Sequence, residues 1–332
     1  MNLTQFPRVS LAHLPTPLEP MAGLTKLLNG PGIYIKRDDC TGLASGGNKT
    51  RKLEFLMAHA LQRGADTVIT QGAVQSNHVR QTLAAAAHLN LDCKVLLETR
   101  VPDAADSYNR SGNVLLDGLF GGEIQYRDSG TDMDAAMEEV AGSVIEAGGN
   151  PYVIPGGGSN RVGALGYVDC ALELTAQITA LELPVNKIVH ATGSAGTQGG
   201  LAAGLAALQS SIDLIGVCVS ADEKTQAAKV HALASETARY IGVEDGVAES
   251  RILVNDQYIG DGYGIPTPGM LEAVQLCAQY EGILLDPVYA GKAMAGLINM
   301  IRCGELDADD TVVFIHTGGS AALFAYDWFF NP

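Results

Sequence analysis

The run Gly46-Gly47-Asn48-Lys49-Thr50-Arg51-Lys52 puts an amine where it can act as a nucleophile. Two glycines allow a tight turn, and the apolar run Leu53 to Leu61 that follows has helical character. Asn48 suits the cap of that helix, which places Lys49 in its first turn. There the positive end of the helix dipole, with Arg51 and Lys52 close by, disfavours a further positive charge. The pKa of Lys49 is therefore expected to be depressed, as a Schiff-base lysine requires. A plain surface lysine at a helix start is the alternative. Lys292, in Asp286-Pro287-Val288-Tyr289-Ala290-Gly291-Lys292, is a rival amine, ranked lower because no run of cations surrounds it.

Three further segments share a layout of strand, small-residue turn and helix, which is where ligands bind in open α/β sheets. Gly193-Ser194-Ala195-Gly196-Thr197-Gln198-Gly199-Gly200 lets backbone N–H groups converge at a helix start, and so reads as a phosphate cup. It has neither the Gly-Lys-Ser/Thr of a Walker loop nor the GxGxxG of a dinucleotide fingerprint. A cup without a lysine suits a cofactor phosphate that stays in place, though a glycine-rich packing turn reads the same. Gln75-Ser76-Asn77-His78 offers a helix cap from Ser76 or Asn77 and, with His78, a receptor for a carboxylate. Capping alone also accounts for Ser76 and Asn77. His316-Thr317-Gly318-Gly319-Ser320 offers the Thr317 hydroxyl to a ring nitrogen; a strand-end turn with a satisfied histidine is the simpler account. Tyr263 and Tyr289, both in turn-like contexts, are candidate acid/base phenols, and packing aromatics are as common there.

The elements that must hold these groups alternate along the chain. β-branched runs predict strands at 33–36, 67–70, 93–97, 123–126, 152–154, 187–192, 214–219 and 311–316. Between them, helices are predicted over 49–62, 77–89, 107–119, 132–147, 162–180, 197–209, 223–241, 268–280, 290–303 and 319–325. Such alternation implies parallel sheets covered on both faces, an α/β protein. Crossings at the glycine cluster 156–158 and near 45–49 divide the chain into a larger domain, 1–49 and 156–332, and a smaller inserted one, 50–155. The formal net charge of −16 over 332 residues repels nucleic acid and anionic membranes. An anionic substrate must then be captured by local donors rather than by the overall field. Six widely spaced cysteines without a CxxC pair, and histidines without HxxxH spacing, predict reduced thiols, a cytoplasmic setting and no metal site. Residues 1–10 lack the apolar core of a signal peptide, and no apolar run reaches the length of a membrane span.

Lys49, the cup and the strand-end polar groups together suit pyridoxal phosphate. The amine takes the aldehyde, residues 193–197 take the phosphate, and the ring lies between. The chain order, lysine early and phosphate loop past the middle, resembles the tryptophan-synthase-β-like group known as fold type II. The motifs Ile35-Lys36-Arg37-Asp38-Asp39, Gly46-Gly47-Asn48-Lys49, Gln75-Ser76-Asn77-His78, Gly193-Ser194-Ala195-Gly196-Thr197, Leu285-Asp286-Pro287-Val288-Tyr289 and His316-Thr317-Gly318-Gly319 narrow this. Together they resemble the 1-aminocyclopropane-1-carboxylate deaminase/D-cysteine desulfhydrase family, from about Phe6 to Tyr326.

Within that family the nearest likeness is to the L-cysteate sulfo-lyases, with the D-cysteine desulfhydrases next. The latter tend to carry His where Gln198 stands and Pro in place of Ala321. The deaminases carry Glu after the tyrosine, where this chain has Ala290. The resemblance thus argues against cyclopropane ring opening and makes Thr317 the partner of the ring nitrogen. It implies two open parallel-sheet lobes with the cofactor between them, and β-elimination from a small amino acid in a homodimer. L-Cysteate would yield pyruvate, sulfite and ammonia; the alternative is sulfide from D-cysteine. In that scheme Lys49 takes the α-proton and Ser76, Asn77 and His78 hold the carboxylate. Asn77 also meets the ring hydroxyl, and Tyr263 and Tyr289 meet the leaving group. A non-catalytic carrier of the cofactor is the alternative of a different class. A nucleotide-dependent transferase lacks its lysine and metal carboxylates.

Overall fold

Two sheets carry the chain, and every strand predicted from β-branched runs is found in one of them. The computed structural model describes residues 3–330, so the outer limits 1 and 332 of the expected larger domain lie outside it. β1 (Leu18–Pro20), α1 (Ala22–Leu28) and β2 (Gly32–Lys36) lead to α2 (Lys49–Gln62). Then come β3 (Thr67–Ala73), α3 (Asn77–His88), β4 (Asp92–Glu98), α4 (Asp106–Arg110), α5 (Asn113–Leu119), β5 (Glu123–Arg127), α6 (Met133–Glu146) and β6 (Pro151–Val153). The second half holds α7 (Arg161–Ala180), β7 (Lys187–Thr192), α8 (Gly196–Ala207), β8 (Asp213–Cys218), α9 (Glu223–Tyr240) and β9 (Leu253–Asn255). It ends with α10 (Pro268–Glu281), α11 (Ala290–Arg302), β10 (Thr311–Ile315) and α12 (Asp327–Phe330).

The larger sheet runs β1-β2-β10-β7-β8-β9 and the smaller β5-β4-β3-β6. All pairings are parallel except β1 with β2. That antiparallel edge escapes sequence reading because Leu18-Glu19-Pro20 has no β-branched residue. The predicted helix 107–119 is in fact two, broken at Ser111-Gly112, where Gly112 adopts φ 60°. The predicted helix 319–325 is a 3-10 turn over Ser320–Ala325.

Side-chain alternation along β10 shows how the larger sheet is sandwiched. Val312 and Phe314 pack with α1, α10 and α11, whereas Val313 and Ile315 pack with α7, α8 and α9. The smaller sheet does the same: Val68, Val95 and Leu97 face α2 and α3, while Ile69 and Leu96 face α6. No helix among the described residues is long and apolar enough to cross a membrane.

The helix that begins at Lys49 is held by charge and by close backbone approach. Arg51 is fully buried; its Nε and Nη2 donate to Asp38 at 2.9 Å, and Nη1 donates to Glu173 at 3.0 Å. Behind it, Gly166 of α7 lies so near that a Cβ there would sit 2.3 Å from the Arg51 carbonyl oxygen and 2.7 Å from Lys52 N. Backbone cannot yield as a side chain can. Gly166→Ala is therefore expected to destabilise the protein by about 1–3 kcal/mol, read as a lowered thermal midpoint. An unchanged midpoint would mean that α2 and α7 are free to move apart.

Candidate active site

The carboxyl ends of β3, β6, β7 and β10 open onto one cavity of about 340 Å³, lined by residues from both sheets. Lys49 lines it, and its Nζ donates to Asn48 Oδ1 at 2.9 Å and lies 6.0 Å from the centre of the Tyr289 ring. Burial pushes the Lys49 pKa down to about 8; Asp286 opposes the shift and Arg80 adds to it. The direction is the expected one, but the expected cause needs correction. Arg51 points away from Lys49 and is neutralised by Asp38 and Glu173, so it contributes little. Asn48 does not cap α2 through its side chain either. Its Nδ2 instead donates to Thr197 Oγ1 at 3.0 Å, tying the lysine loop to the segment 193–197.

That segment is a concave turn into α8, with Ala195 left-handed at φ 71° and α8 starting at Gly196. Contrary to expectation, the cup has a lysine. A Cβ on Gly196 would lie 2.8 Å from Lys52 Nζ, and Lys52 is fully buried. The Lys52 ammonium donates to the Gly157 carbonyl at 3.1 Å and has no carboxylate partner among the described residues. Burial and the neighbouring Lys49 push its pKa well below the usual value. Ser159 completes the rim: its Oγ donates to Ser194 Oγ at 2.8 Å and accepts from Gly196 N at 3.2 Å. Lys52 was legible in one respect, because a residue three after Lys49 shares its helix face.

Opposite the cup, Ser76 caps α3 by accepting from Val79 N at 3.2 Å. Its own hydroxyl proton remains available. Asn77 Oδ1 is buried and without a partner among the described residues. His78 does not fit its expected part. Thr70 Oγ1 gives its single proton to the Ile154 carbonyl at 2.8 Å, so at 2.8 Å it can only accept from His78 Nε2. Burial, with Lys49 and Lys52 nearby, holds His78 well below its usual pKa and therefore neutral. Its one N–H is thus committed, Nδ1 is a bare acceptor, and it cannot donate to a carboxylate.

Thr317 lines the cavity from the end of β10. Its carbonyl accepts from Asn48 N at 3.0 Å, and Gly318, at φ 86°, lets the chain pass where a Cβ would be 2.7 Å from Gly47 Cα. His316 is a satisfied structural histidine, bonded through Nε2 to the Leu284 carbonyl and through Nδ1 to Gly318 N. Tyr263 and Tyr289 both line the cavity with their hydroxyls 2.9 Å apart. Burial raises both phenols, Tyr289 to about 12, so they are donors and not bases near neutral pH. Asp286 fixes the Tyr289 turn by accepting from the backbone N of Val288, Tyr289 and Ala290. Lys292, the rival amine, is also lowered to about 8, but geometry excludes it from the cavity lining. Its Nζ donates to the Ile259 and Gly262 carbonyls at 2.6 and 2.8 Å, anchoring the loop that carries Tyr263.

These groups fit pyridoxal phosphate. An amine of lowered pKa faces the cavity, and a buried unmatched cation stands at a helix start shaped for a phosphate. The orphan Asn77 Oδ1 suits a phenolic hydroxyl, and Thr317 offers a neutral hydroxyl. Only the neutral amine attacks an aldehyde, so attachment to the cofactor-free protein should speed up with pH and level off above about 8. A lysine at the ordinary 10.5 would still be accelerating at pH 10. Stopped-flow absorbance checks this.

Comparison with known proteins agrees. The family model described as pyridoxal-phosphate dependent enzyme matches residues 9–318. D-cysteine desulfhydrases of Salmonella newport (strain SL254) and Klebsiella pneumoniae are each 50% identical over 325 residues, 98% of this chain and 98% of theirs. A solved structure titled as an ACC deaminase homologue superposes with a TM-score of 0.90 at 38% identity, covering 99% of this chain and 96% of that one. A solved threonine deaminase, at 19% identity and a TM-score of 0.63, shares the fold, with 92% of each chain covered. The chain therefore belongs to the pyridoxal-phosphate-dependent enzymes of fold type II, in the 1-aminocyclopropane-1-carboxylate deaminase/D-cysteine desulfhydrase family.

Proposed function

We propose that the chain is a carbon–sulfur lyase acting on D-cysteine and releasing pyruvate, ammonia and sulfide. The observation that carries the elimination chemistry is the lowered Lys49 amine, set between the phosphate cup and the α3 N-terminus in one cavity. The choice of D-cysteine follows the name of relatives that are half identical over nearly the whole length. It reverses the order in which the sequence resemblance ranked L-cysteate and D-cysteine. Sulfite release from L-cysteate is the second reading, favoured by two cations, Arg100 and Lys229, in the cavity lining. A non-catalytic carrier would leave Ser76, Tyr263 and Tyr289 without a task.

Pyridoxal phosphate, when bound, supplies the sink for the negative charge left at Cα. Lys52 and the backbone amides of Ser194, Ala195 and Thr197 would hold its phosphate, Asn77 its hydroxyl and Thr317 its ring nitrogen. Ser76, Asn77 and the free N–H groups of α3 hold the substrate carboxylate. Neutral Lys49 removes the α-proton. His78, as an acceptor, orients an N–H or water beside the lysine. Tyr289, kept protonated and bonded to Tyr263, donates toward the leaving sulfur. A thiolate gains from that proton, whereas sulfite leaves as a stable anion. Tyr289→Phe should therefore slow sulfide release by about 10–100-fold and sulfite release much less.

A product assay over D-cysteine, L-cysteine, L-cysteate and 1-aminocyclopropane-1-carboxylate tests the proposal. Sulfide and pyruvate in equal amounts from D-cysteine support it. Sulfite from L-cysteate without sulfide from D-cysteine would replace it by the second reading. The resemblance also implies a cytoplasmic homodimer, and sedimentation of the purified protein tests the assembly.

A further inference from the structure

Arg100 and Lys229 take no part in the steps above, yet both line the cavity that holds Lys49. They come from different sheets' surroundings: Arg100 follows β4, and Lys229 lies on α9. Arg100 is held in place without using the end of its side chain. Its Nε donates to Glu98 Oε2, and Glu98 Oε1 is fixed by Gly130 N at 2.9 Å. Its guanidinium carbon lies 5.6 Å from the centre of the Tyr263 ring. Neither Nη has a hydrogen-bond partner among the described residues, so the two-nitrogen fork is oriented and free. Lys229 likewise makes no hydrogen bond or ion pair among them. Two acids lie near these cations, of which Asp134 lines the cavity. Glu98 is already engaged by Arg100 and Gly130, and Asp134 attracts the Lys229 ammonium without coming within ion-pair distance.

A free guanidinium fork beside a free ammonium is a receptor for an oxyanion of three equivalent oxygens. With the substrate carboxylate at the α3 N-terminus, as proposed above, the two cations are left for a group carried on the β-carbon. In a chain of net charge −16 the overall field repels such a group, and local cations must capture it. We infer that Arg100 and Lys229 are specificity-determining residues that bind an anionic β-substituent, a sulfonate foremost, and so extend the range of this lyase from thiol to sulfonate amino acids. This rests on the carbon–sulfur lyase reading only for the substituent being sulfur.

The test uses two probes that lack the amino group and cannot react: 3-sulfopropanoate, which carries the sulfonate, and 3-sulfanylpropanoate, which carries the thiol. Calorimetry on the holoenzyme should show the sulfonate binding at least tenfold more tightly. In Arg100→Gln, and separately in Lys229→Gln, that preference should fall about tenfold, with the visible cofactor band and thermal midpoint checked in each. For turnover, the loss should appear mainly in KM for cysteate. A preference near one in the unsubstituted protein, or equal losses for both probes, would overturn the inference. The two readings fail separately. Tight sulfonate binding with no turnover of any sulfur amino acid removes the lyase reading and keeps the cation pair. Cysteine turnover without sulfonate preference does the reverse.

Discussion

Lys49→Ala is expected to abolish covalent attachment of the cofactor and to lower turnover by at least about a thousandfold. Two contributions are lost together. The first is the imine link, without which the cofactor is held by non-covalent contacts alone. The second is the base, and a positioned general base is worth about 10²–10⁴ in rate. Neither neighbouring amine replaces it. Lys292 is committed to the Ile259 and Gly262 carbonyls outside the cavity lining. Lys52 stands against Gly196, at the proposed phosphate cup. The visible band of the lysine-bound cofactor should vanish, and denaturation should release the cofactor free. Persistence of that band in the variant would remove Lys49 from the mechanism. Rescue of slow turnover by added small amines, without return of the band, would separate the base role from the attachment role.

Much of this site is written into local sequence because its parts sit at strand ends. A strand followed by small residues and a helix is a one-dimensional pattern, and it singled out residues 193–197, Ser76-Asn77 and Thr317. All of these except Gly196 line the cavity. Charges reached from a distance were not legible. The sequence places Arg51 and Lys52 equally near Lys49. Helix geometry then sends Arg51 to Asp38 and Lys52 to the cup. The state of His78 depends on Thr70 and Ile154, eight and seventy-six positions away, and on which oxygen owns a single proton. Arg100 and Lys229 meet only because the two sheets close on one cavity. The same holds for the fold. Strands inside the sheets show their β-branched pattern, whereas the three-residue edge Leu18–Pro20 takes its form from pairing with Ile35 and its neighbours.

Lys52→Met should move two observables in opposite directions, which separates a phosphate-binding role from a packing role. In the cofactor-free protein Lys52 is an unmatched buried cation, fully enclosed, with one carbonyl partner and Lys49 for a neighbour. Its folded pKa lies well below the unfolded value of 10.5, so the proton is held less readily in the folded chain than in the unfolded one. That cost is largest below the folded pKa, shrinks as pH rises, and disappears above the unfolded value. Methionine keeps most of the volume and removes the cost. The cofactor-free variant should therefore be more stable near pH 7 by about 1–3 kcal/mol, and the gain should fade toward pH 10. Affinity for pyridoxal phosphate should instead drop about 10–100-fold, the loss of one charge-assisted hydrogen bond. Thermal melting across pH and titration of the cofactor-free protein read the two effects. Higher stability with undiminished affinity would place the phosphate away from Lys52, and with it away from the amides of 194–197.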